Sequence, residues 1–249
     1  MKQIIALLGA ALITSAAVAQ DNTGTIIYTQ TIRLNFDDRP ELAAFADMIP
    51  KEQSSKKLLY YSPQASLYKD APKEKEAENN VSNGNGVHIK MDFDAPSEIV
   101  YKDLIKNETI EQKEFMGRQF LISGDAKDLK WKITGRQKKI LEFPAQEAIT
   151  VHDKDTITAW FTPTIPVKSG PSSLGNLPGM ILEVYMGNMV ELKATAVIHN
   201  EVDKTQLVKP KGGKKMNRNQ FEAMVEAKNK EMNIGGGDGK QVIIHRIER

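Results

Sequence analysis

The chain has four histidines, and their spacing does not by itself form a catalytic or metal site. They are His88, His152, His199 and His245. No two of them lie within one helical turn or one strand repeat, so a zinc ion or a general base would need partners that only the fold supplies. His152 is the best candidate because Asp153 and Asp155 follow it, although a turn between two strands explains the same residues. The histidines therefore predict neither a catalytic residue nor a metal site.

Other signatures of catalysis or phosphate binding are missing as well. Ser169 and Ser172 lie in a glycine- and proline-rich segment, and the sequence has no Gly-x-Ser-x-Gly elbow. The glycine-rich residues 235–239 follow a helical pattern rather than a strand, which is the wrong context for holding phosphate. No cofactor is predicted.

The most distinctive stretch is the proline- and glycine-rich segment at residues 159–183. Its prolines fix φ and remove backbone donors, so it cannot lie inside a sheet and is predicted to be a rigid crossover between two strands. Gly175 and Gly179 are expected to adopt backbone angles forbidden to other residues. Two interpretations stay open, a preorganised binding loop or a structural plug that closes one end of the sheet. The binding-loop candidates are Trp160, Pro163, Pro166, Gly170, Pro171, Leu177, Pro178 and Gly179.

Short strand patterns surround this segment and recur about every ten residues, which is typical of an antiparallel meander. They occupy residues 25–34, 57–61, 65–68, 87–93, 98–104, 109–115, 118–123, 130–134, 146–153, 156–162, 181–185, 190–200 and 241–247. The dipeptide Gly187-Asn188 predicts a tight hairpin turn. Helical spacing of apolar residues predicts helices at 40–50 and 217–232, the second capped by Asn217 or Asn219. The predicted fold is mainly β, a curved antiparallel sheet or half-open barrel with one or two α-helices across its concave face.

The first 20 residues resemble a cleavable secretion signal, with a cation at Lys2, an apolar run and small residues at Ala17 and Ala19. We therefore expect a periplasmic or extracellular protein with a single β-rich domain at 21–249, which includes a mobile loop at 70–86 and a C-terminal extension at 201–249. The absence of cysteine excludes disulfides and thiolate metal sites. A formal net charge of +2 gives no support to nucleic acid as a partner, and no later apolar run is long enough to span a membrane.

The crossover segment resembles the signature of the GLPGLI family, secreted proteins of Bacteroidetes without an established activity. The similar segments are residues 160–163 (Trp-Phe-Thr-Pro), 165–167, 170–171 and 176–183, and upstream 59–61, 66–68, 131–134 and 138–140. Asn176 stands where that family's motif begins with glycine, and Met180 stands for leucine. The resemblance implies an exported β-rich protein.

The leading functional hypothesis is a non-enzymatic envelope protein whose curved sheet binds an apolar ligand, such as a lipid, or an envelope protein partner. Two alternatives stay open. One is an envelope hydrolase whose acids and His152 converge only in three dimensions. The other is a metal-binding protein that uses histidines together with Met180, Met186 and Met189, although methionine is more often core filler.

Overall fold

The computed structural model describes residues 22–33, 51–72, 81–82, 88–89, 97–126, 129–152 and 155–231. The predicted secretion signal, the helix at 40–50, the strand at 241–247, and most of both the loop at 70–86 and the strand at 87–93 lie outside these residues. Within the described ranges, no helix is long and apolar enough to cross a membrane.

The described residues form short strands and one C-terminal helix. The elements are β1 (Gly24–Arg33), β2 (Glu52–Tyr61), β3 (Ala65–Asp70), β4 (Val81–Ser82), β5 (His88–Ile89), β6 (Glu98–Asp103), β7 (Glu108–Phe115), β8 (Arg118–Asp125), β9 (Lys132–Ile140), β10 (Phe143–His152), β11 (Asp155–Thr162), β12 (Met180–Met186), β13 (Val190–His199), β14 (Lys214–Asn217) and the helix α1 (Arg218–Glu231). The prediction of a mainly β fold is confirmed.

Twelve of these strands form one open mixed sheet, in the order β14-β8-β7-β6-β3-β2-β1-β13-β12-β11-β10-β9, and β4 pairs with β5 separately. Neighbours are antiparallel except β14 and β8, which are parallel. The sheet therefore contains two meanders, β1-β2-β3-β6-β7-β8 and β9-β10-β11-β12-β13, that meet where β1 pairs with β13. The predicted antiparallel meander was wrong at this junction and at β14, where no strand was predicted.

The sheet is strongly curved. The ring centroids of Phe143 in β10 and His199 in β13 lie 6.2 Å apart, although two strands separate them. Three strand spacings of a flat sheet would hold them about 14 Å apart. Tyr28 in β1 likewise donates a 2.5 Å hydrogen bond to the carbonyl oxygen of Ile181 in β12, two strands away. Side chains of both meanders consequently pack into one main core.

Alternation along β11, β12 and β13 sends every second side chain to the face opposite this core, here called the outer face. Val184 and Leu192 are buried in the main core with at most 2% exposure. Across the sheet, Trp160 lies directly opposite Glu183, and Glu183 lies directly opposite Lys193. The predicted turn at residues 187–188 is present and fixes this register. These three polar or aromatic side chains therefore form a row on the outer face.

The helix α1 packs against the edge of the sheet formed by β14, β8 and β7. Val225 is buried with Phe115, Phe120 and Ile122 in a second apolar cluster, against which Phe221 also packs. A reciprocal pair of hydrogen bonds caps the helix: the Asn217 side chain accepts from the Gln220 N–H at 2.9 Å, and the Gln220 side chain accepts from the Asn217 N–H at 3.0 Å. The capping role predicted for Asn217 is confirmed.

Candidate functional site

The crossover between β11 and β12, residues 163–179 and here called the crossover loop, is folded onto the core side of the sheet. The Ser66 and Ser169 hydroxyl oxygens lie 2.7 Å apart, and Ser172 donates to Glu98 Oε1 at 3.1 Å. The Trp131 indole N–H donates to the Gly175 carbonyl at 3.0 Å. The loop is thus fastened to β3, to β6 and to the segment before β9.

The eight predicted binding-loop residues do not share one surface. Four of them are buried residues of the loop itself: Gly170, Pro171, Leu177 and Gly179. Three others, Pro163, Pro166 and Pro178, are exposed. Trp160 precedes the loop and lies partly exposed in the outer-face row.

The backbone geometry of the crossover loop was predicted in part. Gly179 has a φ of 154°, and a Cβ there would collide with the Thr162 carbonyl oxygen. Gly175 was expected to need a special φ as well, which is wrong; positive φ occurs instead at Ser172 (50°) and Asn176 (65°). At Gly175 a side chain is disfavoured by a close approach instead, because a Cβ there would lie 3.0 Å from the Lys168 carbonyl oxygen.

A set of charged and aromatic side chains, here called the outer-face cluster, surrounds the row on the outer face. Its members are Arg33, Lys138, Trp160, Glu183, Tyr185, Glu191 and Lys193. The Lys138 ammonium lies 4.4 Å from the Trp160 ring centroid and 5.7 Å from that of Tyr185, and it forms an ion pair with Glu183. Tyr185 donates to Glu183 Oε2 at 2.9 Å. One lysine of β9 therefore joins an aromatic ring of β11 to an aromatic ring and a carboxylate of β12.

Glu191 closes the other side of the outer-face cluster. It accepts from Arg33 at 3.0 Å and forms an ion pair with Lys193, whose ammonium lies 5.7 Å from the Tyr185 ring centroid. The bond from Lys193 lowers the pKa of the Glu191 carboxyl, followed by that from Arg33. Burial, followed by the bond to Glu183, raises the pKa of Tyr185, so its hydroxyl stays a hydrogen-bond donor at neutral pH.

A second set of reactive groups, here called the buried polar cluster, consists of Ser66, Lys102 and Ser169. Ser66 lies directly opposite Lys102 in the β3–β6 pair. The Lys102 ammonium donates to the carbonyl oxygens of Gly170, at 2.9 Å, and of Leu174. Burial lowers the pKa of Lys102 to about 7, against the opposing attraction of nearby carboxylates. A partly neutral amine beside two hydroxyls has the composition of a nucleophilic site.

The crossover loop nevertheless seals this cluster from solvent. Both serines are 0% exposed and Lys102 is 4% exposed. A substrate carbonyl cannot reach either hydroxyl in this conformation. The buried polar cluster therefore has a structural role, which is to hold the crossover loop on the sheet through hydrogen bonds.

The comparison with known proteins identifies the family. A family model described as "N-glycanase peptide, N-terminal domain" (PNGase_F-II_N) matches residues 75–224, more than half of the chain. The chain belongs to this PNGase F-II N-terminal domain family.

Two solved structures of PNGF-II share the fold of this family member. The C2 crystal form aligns with a TM-score of 0.52 and 19% identity, over 82% of this chain and 32% of the PNGF-II chain. The P21 form gives 0.53 and 18%, over 82% and 33%. The chain thus spans about a third of the length of PNGF-II. No curated protein matches the sequence.

Membership of the PNGase F-II N-terminal domain family corrects two sequence-based interpretations. The GLPGLI assignment was wrong, because the family match rests on residues 75–224 as a whole, whereas the proline and glycine motifs describe a loop geometry. The leading hypothesis, a non-enzymatic protein that binds an apolar ligand or a protein partner, was also wrong, since the matching family model is described as an N-glycanase domain. The core side of the curved sheet, which was expected to bind an apolar ligand, is filled by Ile165, Leu177 and the other side chains of the main core.

The histidine and methionine candidates do not form a site among the described residues. The side chain of His152 lies outside them, and its backbone pairs with Asp155 across the β10–β11 hairpin. Met180 and Met186 lie at opposite ends of β12, roughly 20 Å apart along the strand. No group of three or more His, Cys, Asp or Glu in the described ranges is placed to hold a metal ion.

Proposed function

We propose that this chain is a glycan-recognition domain and that the outer-face cluster is its binding surface. The family to which the chain belongs is described as an N-glycanase N-terminal domain, and this description supports a carbohydrate ligand. The observation that carries the proposal is the grouping of two partly exposed aromatic rings, Trp160 and Tyr185, with charged hydrogen-bonding groups on one face of a sheet.

The chemistry of the cluster suits a sugar. The apolar C–H face of a pyranose packs on an aromatic ring, while its hydroxyl groups need charged or polar partners close to the edge of that ring. Lys138 and Glu183 provide such partners beside Trp160. Because all of these groups project from strands rather than loops, their geometry is fixed before the ligand arrives.

A surface depression extends the proposed site beyond the cluster. It has a volume of about 410 Å³ and is lined by Gln137, Lys138, Lys139, Glu142 and Pro144 at the β9–β10 turn. Lys138 belongs to both the depression and the outer-face cluster, so a glycan of several sugar units could occupy the two together.

Titration of the purified chain with a biantennary N-glycan, followed by calorimetry or NMR, tests the proposal. Trp160→Ala should weaken binding about tenfold or more, as expected for loss of an aromatic anchor. Tyr60→Ala is the matched control, because Tyr60 also carries a lysine over its ring, Lys69 at 5.2 Å, but lies on β2, four strands away from β11. Lack of binding by the parent, or equal losses in the two folded variants, would refute the proposal.

A further inference from the structure

We infer that the preferred glycan is acidic and presents a carboxylate or sulfate group to the β9–β12 end of the outer-face cluster. The inference rests on the proposed function and specifies its ligand class. The inference depends on a difference between the charged groups of this surface. The carboxylates are already bonded to protein donors, whereas the cations still face solvent.

The carboxylates of this surface are occupied by protein donors. Glu191 receives Lys193 on Oε1 and Arg33 on Oε2, and Glu183 Oε2 receives both Lys138 and the Tyr185 hydroxyl. Both carboxylate side chains are only 11% exposed. A ligand therefore finds few free acceptors on them.

Glu147 repeats this arrangement on β10, two strands away from Glu183. It lies directly opposite Trp160 and accepts from Arg136 Nε at 2.6 Å and from the Thr134 hydroxyl at 2.7 Å. A second guanidinium nitrogen of Arg136 lies 2.6 Å from its other oxygen. The Glu147 side chain is 2% exposed, so it pairs with the Arg136 guanidinium but presents no oxygen to a ligand.

The cations, by contrast, face solvent. The exposed fractions of their side chains are 33% for Lys138, 43% for Arg33, 47% for Lys193 and 70% for Arg136. An ammonium has three N–H donors and a guanidinium has five, so each group retains donors beyond those used by its carboxylate. The surface is therefore rich in donors and poor in acceptors.

A donor-rich surface favours a ligand that supplies acceptors. Hydrogen bonds from lysine or arginine to an anionic oxygen are shorter and roughly twice as strong as neutral ones, so an acidic sugar gains more here than a neutral sugar. Two exposed carboxylates are exceptions: Glu52, which is 58% exposed beside Arg33, and Glu142, which lines the depression at the β9–β10 turn. Glu52 disfavours an anion at the β1–β2 end and Glu142 disfavours one in the depression, which leaves Lys138 and Arg136 near Trp160 as the expected contacts.

The test compares a biantennary N-glycan that ends in sialic acid with the same glycan after removal of the sialic acid. The acidic glycan should bind at least about fivefold more tightly at low ionic strength, and the advantage should shrink near 1 M salt, where screening acts within about 3 Å. Equal affinities would overturn the inference and leave the proposed function standing. Failure of both glycans to bind would refute the proposed function itself.

Variants locate the acidic group. Lys138→Met and, independently, Arg136→Gln should bring the ratio of the two affinities toward one, whereas Lys69→Met should leave the ratio unchanged. Because Arg136 pairs with the buried carboxylate of Glu147, Arg136→Gln is made together with Glu147→Gln, and this double variant should fold even if Lys138→Met does not. Unchanged ratios in both folded variants would contradict the inference. A DNA oligonucleotide is the last probe, since binding as tight as that of the acidic glycan would mean general anion attraction and would also overturn it.

Discussion

The buried polar cluster and the outer-face cluster both contain lysine and hydroxyl groups, and they differ in what covers them. In the first, Lys102 donates to two backbone carbonyls of the crossover loop and is shut off from solvent. In the second, Lys138 bonds a carboxylate, lies over an aromatic ring and remains one-third exposed. The path of the crossover loop therefore decides which set fastens the fold and which set is available to a ligand.

The largest expected effect comes from removing the seal over the buried polar cluster. Gly179→Val should lower the free energy of unfolding by about 3 kcal/mol or more, because a β-branched residue is excluded from this φ and its Cβ would meet the Thr162 backbone. The drop in melting temperature should be roughly 10 °C by calorimetry. Melting temperatures equal to that of the parent would show that the loop is not fixed at this residue.

Gly187→Ala is the matched control for that substitution. Gly187 also has a positive φ, 53°, but a Cβ there meets no atom within 4 Å. It should lose only about 1 kcal/mol, the cost of the left-handed backbone alone. Equal losses at Gly179 and Gly187 would mean that φ, rather than contact with the sheet, dominates.

The fold was largely accessible from the sequence because strands and tight turns are local features. Alternating β-branched residues marked β1, β6, β7 and β11, and residues 187–188 marked the β12–β13 turn. The β1–β13 pairing could not be predicted from the sequence, since it joins residues more than 150 positions apart, such as Ile26 and Val197. The parallel strand β14 was missed because its Lys-Lys-Met-Asn sequence has no strand pattern.

Of the outer-face cluster, only Trp160 was predicted from the sequence as a candidate binding residue. Lys138 reaches it from β9, more than 20 positions earlier in the chain, and no spacing rule connects them. A usable signal did exist in the β12–β13 hairpin. The predicted turn sets Glu183 opposite Lys193 and Tyr185 opposite Glu191, which would have marked a polar and aromatic outer face. Ser66 and Lys102 belong to strands that are not consecutive in the described chain order, so their pairing required the fold.

A pH titration of stability distinguishes the two lysines of the comparison. The pKa of Lys102 in the folded protein is about 7, below its ordinary value of 10.5, so the unfolded chain binds more protons between these values. The free energy of unfolding should therefore rise with pH across this window, by at most about 1.4 kcal/mol per pH unit. Lys102→Met should remove this rise when denaturant unfolding is followed from about pH 8 to about pH 9.5, one unit inside each limit.

The same variant measures the two hydrogen bonds that Lys102 donates to the crossover loop. At the alkaline end the neutral amine still donates, whereas methionine leaves the Gly170 and Leu174 carbonyls unpaired, so the variant should be less stable by about 1–3 kcal/mol. That difference should narrow as the pH falls and the parent bears a buried charge. Lys138→Met is the control and should leave the pH dependence of the parent in place. A parent curve that is flat over the window would contradict the buried, desolvated lysine.

The smallest effect is expected from deleting single hydroxyl groups, and here the two clusters should separate most clearly. Ser66→Ala leaves the Ser169 hydroxyl without its 2.7 Å partner in a fully buried position, so it should cost about 1–3 kcal/mol. Tyr185→Phe removes the 2.9 Å bond to Glu183, but Lys138 still pairs with that carboxylate near solvent, so the cost should stay at or below about 1 kcal/mol. Urea denaturation of both variants checks the order. A larger loss for Tyr185→Phe would mean that the outer-face cluster stabilises the fold, which would weaken its assignment as a ligand surface.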